Sequence, residues 1–205
     1  MRTGVFGGTF DPVHLGHLIL AEQCREQANL DQVLFVPAAL PPHKQEQMLT
    51  PFGQRVEMLS LAISGHPPFR IEEMEKNRPG PSYTVDTLTQ LQQARPGDDL
   101  CFIIGSDSLH DLPLWYQPRR ILELATLLVV ARADWPTFSA KKLKESLELA
   151  DEFPLRYEVV EAPLITISSR EIRRRIGERR SVRYMIPRAV EAYIEDKGLY
   201  QTIRA

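Results

Sequence analysis

Short, largely apolar runs along the chain alternate with stretches whose apolar residues recur every three or four positions. Runs at 3–6, 33–36, 100–104 and 126–131 read as strands, with weaker ones at 69–71 and 157–160. The run Val33-Leu34-Phe35-Val36 has no polar alternation, as expected of a parallel strand covered on both faces. Helical spacing starts near His14 and continues through Leu18, Ala21, Cys24 and Ala28. Further helices are predicted over 52–63, from a Ser82 cap to about 94, between the third and fourth long strands, and over 140–150, 169–176 and 187–196. Residues 7–8 read as a tight glycine turn and 37–51 as a long loop. Alternation of this kind implies an α/β fold with a Rossmann-like, doubly wound parallel sheet. In such sheets a ligand lies beyond the carboxyl ends of the strands. The loops after Phe6, Val36 and Ile104 all fall there, which points to one composite site.

Composition narrows the class. The chain has 205 residues, 43% hydrophobic and 25% charged, enough for one sizeable core. A single domain over 1–205 is expected, with a small helical portion from about 166. A net charge of −2 gives no nucleic-acid or membrane signal. No apolar run reaches the roughly 18–20 residues that span a bilayer, and the glycine-rich start is unlike a signal peptide. The two cysteines, Cys24 and Cys101, have neither metal-type nor disulfide-type spacing, so a reducing cytoplasm is the expected setting. A monomer and a homo-oligomer remain equally open.

The segment Gly7-Gly8-Thr9-Phe10-Asp11-Pro12-Val13-His14-Leu15-Gly16-His17 carries the most chemistry. Glycines after a strand let the backbone approach a phosphate, and the next helix offers N–H groups at its start. His14 and His17 can share one face of that helix, with Gly16 keeping the space between them open. The segment lacks the Gly-Lys-Ser/Thr of a Walker loop and the G-x-G-x-x-G spacing of dinucleotide folds. Zinc is a poorer reading, because no convincing third and fourth ligands lie nearby and Cys24 reads as core. No protein metal site is expected. A second constellation, Ile167-Ser168-Ser169-Arg170-Glu171-Ile172-Arg173, places a capping serine before a helix and an arginine fork one turn on.

The first segment resembles the signature of the HxGH nucleotidylyltransferases, and in particular that of bacterial nicotinate-nucleotide adenylyltransferases. The second resembles that family's Ile-Ser-Ser-Thr-x-Ile-Arg, with Arg170 standing where threonine is common. The resemblance runs from residue 3 to Gly198-Leu199-Tyr200. It implies a nucleotidyltransferase-type fold and transfer of AMP from ATP to nicotinate mononucleotide. Deamido-NAD and pyrophosphate would be the products, in NAD biosynthesis. Mg²⁺ would accompany the ATP phosphates. His14, His17, Lys44 and Arg173 would be the catalytic set. Gly7, Gly8, Thr9, Phe10, Gly105, Asp107, Ser168 and Ser169 would join His17 and Arg173 around ATP.

The acceptor would meet Thr9, Lys44, Tyr83, Thr84, Asp107, Trp115, Tyr116 and Arg132. Trp115 can stack on a flat cationic pyridinium ring, although a packed core tryptophan is a comparable reading of the residue alone. Lys44, in the loop Pro41-Pro42-His43-Lys44, gains weight only from the other motifs. His66 and His110 have no motif around them and read as surface or structural. The alternatives are an adenylyltransferase for nicotinamide mononucleotide, phosphopantetheine or FMN, and a nucleotide sensor without catalysis. Nucleic-acid binding through Arg173-Arg174-Arg175 is a weaker possibility.

Overall fold

The computed structural model describes residues 1–42, 49–131 and 139–201. Its elements run β1 (Arg2–Gly8), α1 (Leu15–Gln27), β2 (Gln32–Pro37), α2 (Phe52–Ile63), β3 (Phe69–Ile71), α3 (Thr84–Ala94) and β4 (Asp99–Gly105). They continue with α4 (Ser106–Asp111), α5 (Pro118–Leu124), β5 (Thr126–Val130), α6 (Ala140–Ser146), β6 (Tyr157–Val160), α7 (Ser169–Gly177) and α8 (Arg188–Asp196). The six strands form a sheet in the order β3-β2-β1-β4-β5-β6. Every neighbouring pair is parallel. The order reverses direction between β1 and β4, which is the switch point where such folds bind ligands.

Period-two alternation inside the strands sorts their side chains onto two buried faces. Val33, Phe35, Cys101, Ile103, Leu128 and Val130 join Ala21 and Cys24 of α1, Met58 and Leu59 of α2, Ile172 of α7 and Val190 of α8. Leu34, Val36, Phe102, Ile104, Leu127 and Val129 pack instead against α3, α5 and Leu143 of α6. Both faces are covered, so the strands read as continuous apolar runs. Cys24 lies inside the first core, where burial pushes its thiol up to about 12. Among the described residues no helix is long and apolar enough to cross a membrane.

Four local expectations are corrected. Gly7 and Gly8 are not a turn; they continue β1 and pair with Val36 and Pro37. The chain turns at Phe10, the residue with positive φ, and at the cis Asp11–Pro12 bond. Ser82 does not cap α3, whose cap position is Tyr83. Its hydroxyl accepts the Ala39 and Leu40 N–H groups, tying the end of β2 to the approach to α3. The helix expected between β4 and β5 is two short helices, because Pro113 and a 3-10 turn at Leu112–Leu114 interrupt it. α6 ends at Ser146, short of residue 150, where Leu147 and Glu148 turn the chain away.

Candidate active site

β1 and β4 end side by side, and a cavity of about 650 Å³ opens between their carboxyl ends. The helix starts of α1 and α7 face each other across it: His14, Gly16 and His17 line one side and Ser168, Ser169, Arg170 and Arg173 the other. Gly7 lies beside the cavity with open space where a side chain would stand, so the backbone is accessible there. Thr9, Gly105 and Asp107 complete the polar lining.

The two histidines act as one unit. Their rings stack with centroids 3.6 Å apart and planes 20° apart. The His14 backbone N–H donates to His17 Nδ1 at 3.2 Å, so a neutral His17 ring carries its proton on Nε2. Gly16 is needed for this stack: a Cβ there would stand 3.0 Å from His14 Nδ1 and 3.1 Å from Ile165 Cγ2. The space that the missing side chain leaves is therefore filled by an imidazole, and only what remains is open to a phosphate. The helix start also offers less than its sequence suggested, since the Leu15 N–H is taken by the Met185 carbonyl.

Phe10 does not line this cavity. It is 1% exposed, with its ring edge-on to His17 at 5.0 Å and packed on Phe6 and Phe35. Gly8 is likewise absent from the lining; a Cβ on it would meet the Phe10 ring at 2.9 Å. These two residues support His17 from beneath.

Residues that sequence reasoning passed over hold this loop. Arg55, in the first turn of α2, is 1% exposed. Its guanidinium donates to the Thr9, Ala38 and Thr50 carbonyls at 2.8, 2.9 and 2.9 Å. Burial holds the guanidinium below its ordinary value, and the nearby Asp11 carboxylate works in the opposite sense. Asp11 is itself buried, accepting the Tyr200 hydroxyl at 2.6 Å and the Thr50 N–H at 3.3 Å. Burial first, and then this hydrogen bond, push the Tyr200 phenol well above its usual range. One signal was available: Arg55 lies on the same helical stripe as Met58, Leu59 and Ile63.

α7 is clamped to the same loop. Ser168 caps the helix, its Oγ accepting the Glu171 N–H at 3.2 Å as its sequence position indicated. Ser169 Oγ donates to the Pro12 carbonyl at 2.9 Å, and Arg173 donates to the Asp11 carbonyl. Arg174 pairs with Glu171 and Glu178, so the basic face behind the site is internally balanced.

Trp115 joins this cavity to a second one. The neighbouring space, about 490 Å³, is lined by Tyr83, Thr84, Trp115 and Tyr116, together with Leu114 and Ser82. Tyr83 and Tyr116 lie 4.7 Å apart, centroid to centroid, and Phe102 meets Trp115 edge-on at 6.1 Å. The first turn of α3 reaches this cavity through Thr84. Trp115 is thus neither wholly core nor wholly surface: it belongs to the walls of both spaces. Lys44 and Arg132 lie outside the described residues. His66 bonds Glu22 and packs on Phe69, a structural role.

Comparison with known proteins agrees with this layout. The profile of the family described as cytidylyltransferase-like matches residues 5–175. A protein of Thermomicrobium roseum named "Probable nicotinate-nucleotide adenylyltransferase" is 47% identical, covering 100% of this chain and 94% of its own. The nicotinate-nucleotide adenylyltransferase of Bacillus subtilis is 41% identical over 98% of this chain and 99% of its own. Among solved structures, the nicotinic acid mononucleotide adenylyltransferase of Plasmodium falciparum complexed with NaAD superposes with a TM-score of 0.79. That pair shares 18% identity and 97% coverage of both chains, which is a likeness of fold. With relatives this similar along its whole length, the chain belongs to the cytidylyltransferase-like family and, within it, to the nicotinate-nucleotide adenylyltransferases.

Proposed function

We propose that the protein transfers the adenylyl group of ATP to the 5′-phosphate of nicotinate mononucleotide, giving deamido-NAD and pyrophosphate for NAD biosynthesis. The observation that carries this reading is the pair of cavities meeting at Trp115, one lined by histidines and the other by aromatic rings. Membership of the family points the same way.

The acceptor phosphate is already a nucleophile at neutral pH, so the chemistry asks for position and charge rather than a base. One of its oxygens attacks the α-phosphorus in line, and the bond from that phosphorus to the β-bridging oxygen breaks. Pyrophosphate leaves with the electron pair, and no proton has to move. His14 and His17 stabilise the charge that builds up on the α-phosphate oxygens. The fixed stack and the N–H bond to His17 Nδ1 hold the rings in place before the reaction begins. Gly7, Thr9, Gly105, Asp107, Ser168, Ser169 and Arg173 surround the nucleotide. Lys44 is assigned to the acceptor phosphate and Arg132 to the acceptor. Magnesium would supply neutralising charge to the ATP phosphates, and Asp107, the one carboxylate along the described lining, would be the residue to hold it through water.

In the second cavity Trp115 stacks on the pyridinium ring while Tyr83 and Tyr116 close its sides. The first-turn N–H groups of α3 at Thr84 receive the nicotinate carboxylate. An amide there would point its own donors at donors and leave them unpaired, which favours the acid. The absence of any membrane-length helix in the described residues fits action in the cytoplasm. Incubation with MgATP and nicotinate mononucleotide, followed by mass detection, tests the reading. Deamido-NAD and pyrophosphate are expected in equal amounts. Tight ATP binding without product would instead mark a nucleotide sensor.

A further inference from the structure

Behind the aromatic cavity lies a buried ion pair that lines neither space. Glu75, in the stretch between β3 and α3, is 5% exposed. Its carboxylate meets the Arg78 guanidinium at 3.1 Å. One carboxylate oxygen accepts the Thr87 hydroxyl of α3, and the other accepts the Ala39 N–H at 3.3 Å. Arg78 donates to the Thr87 oxygen at 2.7 Å, so the three side chains close a triangle. This triangle joins pieces of chain that local structure would leave independent. The Ala39 N–H is shared with Ser82 Oγ, and the Ser82 N–H donates to the Leu40 carbonyl at 2.8 Å. Ala38 ties the same stretch to the histidine side, its N–H on the Gly8 carbonyl and its own carbonyl on Arg55. Thr87 lies one turn beyond Thr84, which lines the aromatic cavity with Tyr83.

We propose that Glu75 is a positioning residue for the acceptor: with Arg78 and Thr87 it fixes the first turn of α3, and so Tyr83 and Thr84, against the histidine side of the site. The proposal rests on the adenylyl-transfer reading of the two cavities. A carboxylate withdrawn from water is costly unless it is paired and hydrogen-bonded. Here the guanidinium, the Thr87 hydroxyl and the Ala39 N–H satisfy it together, so any other placement of α3 against residues 38–40 would leave buried charge without a partner. The pair also sums to no net charge, which leaves the positive end of the α3 dipole for a substrate carboxylate. The acceptor must bring its phosphate to the histidines while its ring sits among Tyr83, Trp115 and Tyr116. The spacing of those walls therefore decides how well it binds.

Three variants test it. Thr87→Val keeps the shape and removes the hydroxyl, Thr87→Ser keeps the hydroxyl, and Glu75→Gln keeps the size and removes the charge. For each, the KM for nicotinate mononucleotide and for MgATP, the kcat and the hydrogen exchange of the Ala39 and Leu40 amides are measured. Thr87→Val and Glu75→Gln are expected to raise the acceptor KM about tenfold and to speed that exchange. The MgATP KM and kcat should stay where they were, and Thr87→Ser should behave as the wild type. Equal changes in both KM values, or an unchanged acceptor KM with unchanged exchange, overturn the proposal. If the wild type turns over no nicotinate mononucleotide, the function reading fails, while exchange in Thr87→Val still decides whether the triangle fixes this segment.

Discussion

Across the nucleotide cavity two pieces of chain face each other and are held very differently. On the β1–α1 side, Asp11 takes the Tyr200 hydroxyl and the Thr50 amide, Arg55 holds the Thr9 carbonyl, and the His17 ring rests on Phe10 with His14 stacked on it. On the α7 side the backbone is fastened by Ser169 and Arg173, but Arg170 projects from the rim with no partner among the described residues. The division suits adenylyl transfer. Charge develops at the α-phosphate, where preorganised donors are worth most because they need no reorganisation during the reaction.

The buried side of this comparison should break most severely. Arg55→Ala leaves three carbonyls without their donor and is expected to cost about 3 kcal/mol or more in denaturant unfolding. Loss of activity in that variant should follow loss of folding. A variant as stable as the wild type would show that the loop is held in another way.

His17→Ala separates chemistry from scaffolding. Removing one transition-state contact typically costs about 2.7–4 kcal/mol, so turnover should fall at least about a hundredfold with the melting temperature nearly unchanged. A near-normal rate would remove His17 from the mechanism.

Tyr200 sharpens the stability side through pH. Burial and the Asp11 hydrogen bond raise its phenol in the folded state above the ordinary tyrosine value of about 10. Above about pH 10 the unfolded chain therefore loses this proton while the folded chain keeps it, and stability falls as pH rises. Below that range the contribution is fully present. Tyr200→Phe should lose about 1.5 kcal/mol at neutral pH and show a shallower alkaline decline in urea midpoints than the wild type. Parallel declines would mean that the Asp11 contact does not control the titration.

The smallest of these effects concerns the other cavity. Trp115→Ala should raise the KM for nicotinate mononucleotide about tenfold and that for ATP less, since stacking on a cationic ring is worth about 1–2 kcal/mol. Equal changes in both constants would point to a wall residue rather than a stacking partner, because Trp115 borders both spaces.

How much of this was legible in the sequence follows from where each residue's partners lie. The sheet was legible because continuous apolar runs suit strands covered on both sides, and the neighbouring strands are parallel as that reading expects. That His14, His17, Ser168 and Arg173 line one cavity was legible because each sits at or near a helix start that follows a strand or loop at the same end of the sheet. That Phe10 and Gly8 stand off the cavity lining was not legible, because a glycine between a strand and a motif reads as access for phosphate, whereas here the missing Cβ makes room for a ring. Arg55 and Tyr200 were missed because their partners are a distant carboxylate and backbone carbonyls, which leave no spacing to read. Ser82 resembled a cap because a serine before a helix usually is one; the Ala39 and Leu40 N–H groups just after β2 competed for its oxygen and won.

The most direct test of the two-cavity reading is pyrophosphate release from MgATP with nicotinate mononucleotide, nicotinamide mononucleotide and phosphopantetheine compared side by side. Fast release with the nicotinate compound, and slow or no release with the other two, is the expected result. Faster release with either of the others would contradict the assignment of the Trp115–Tyr116 cavity to a nicotinate ring.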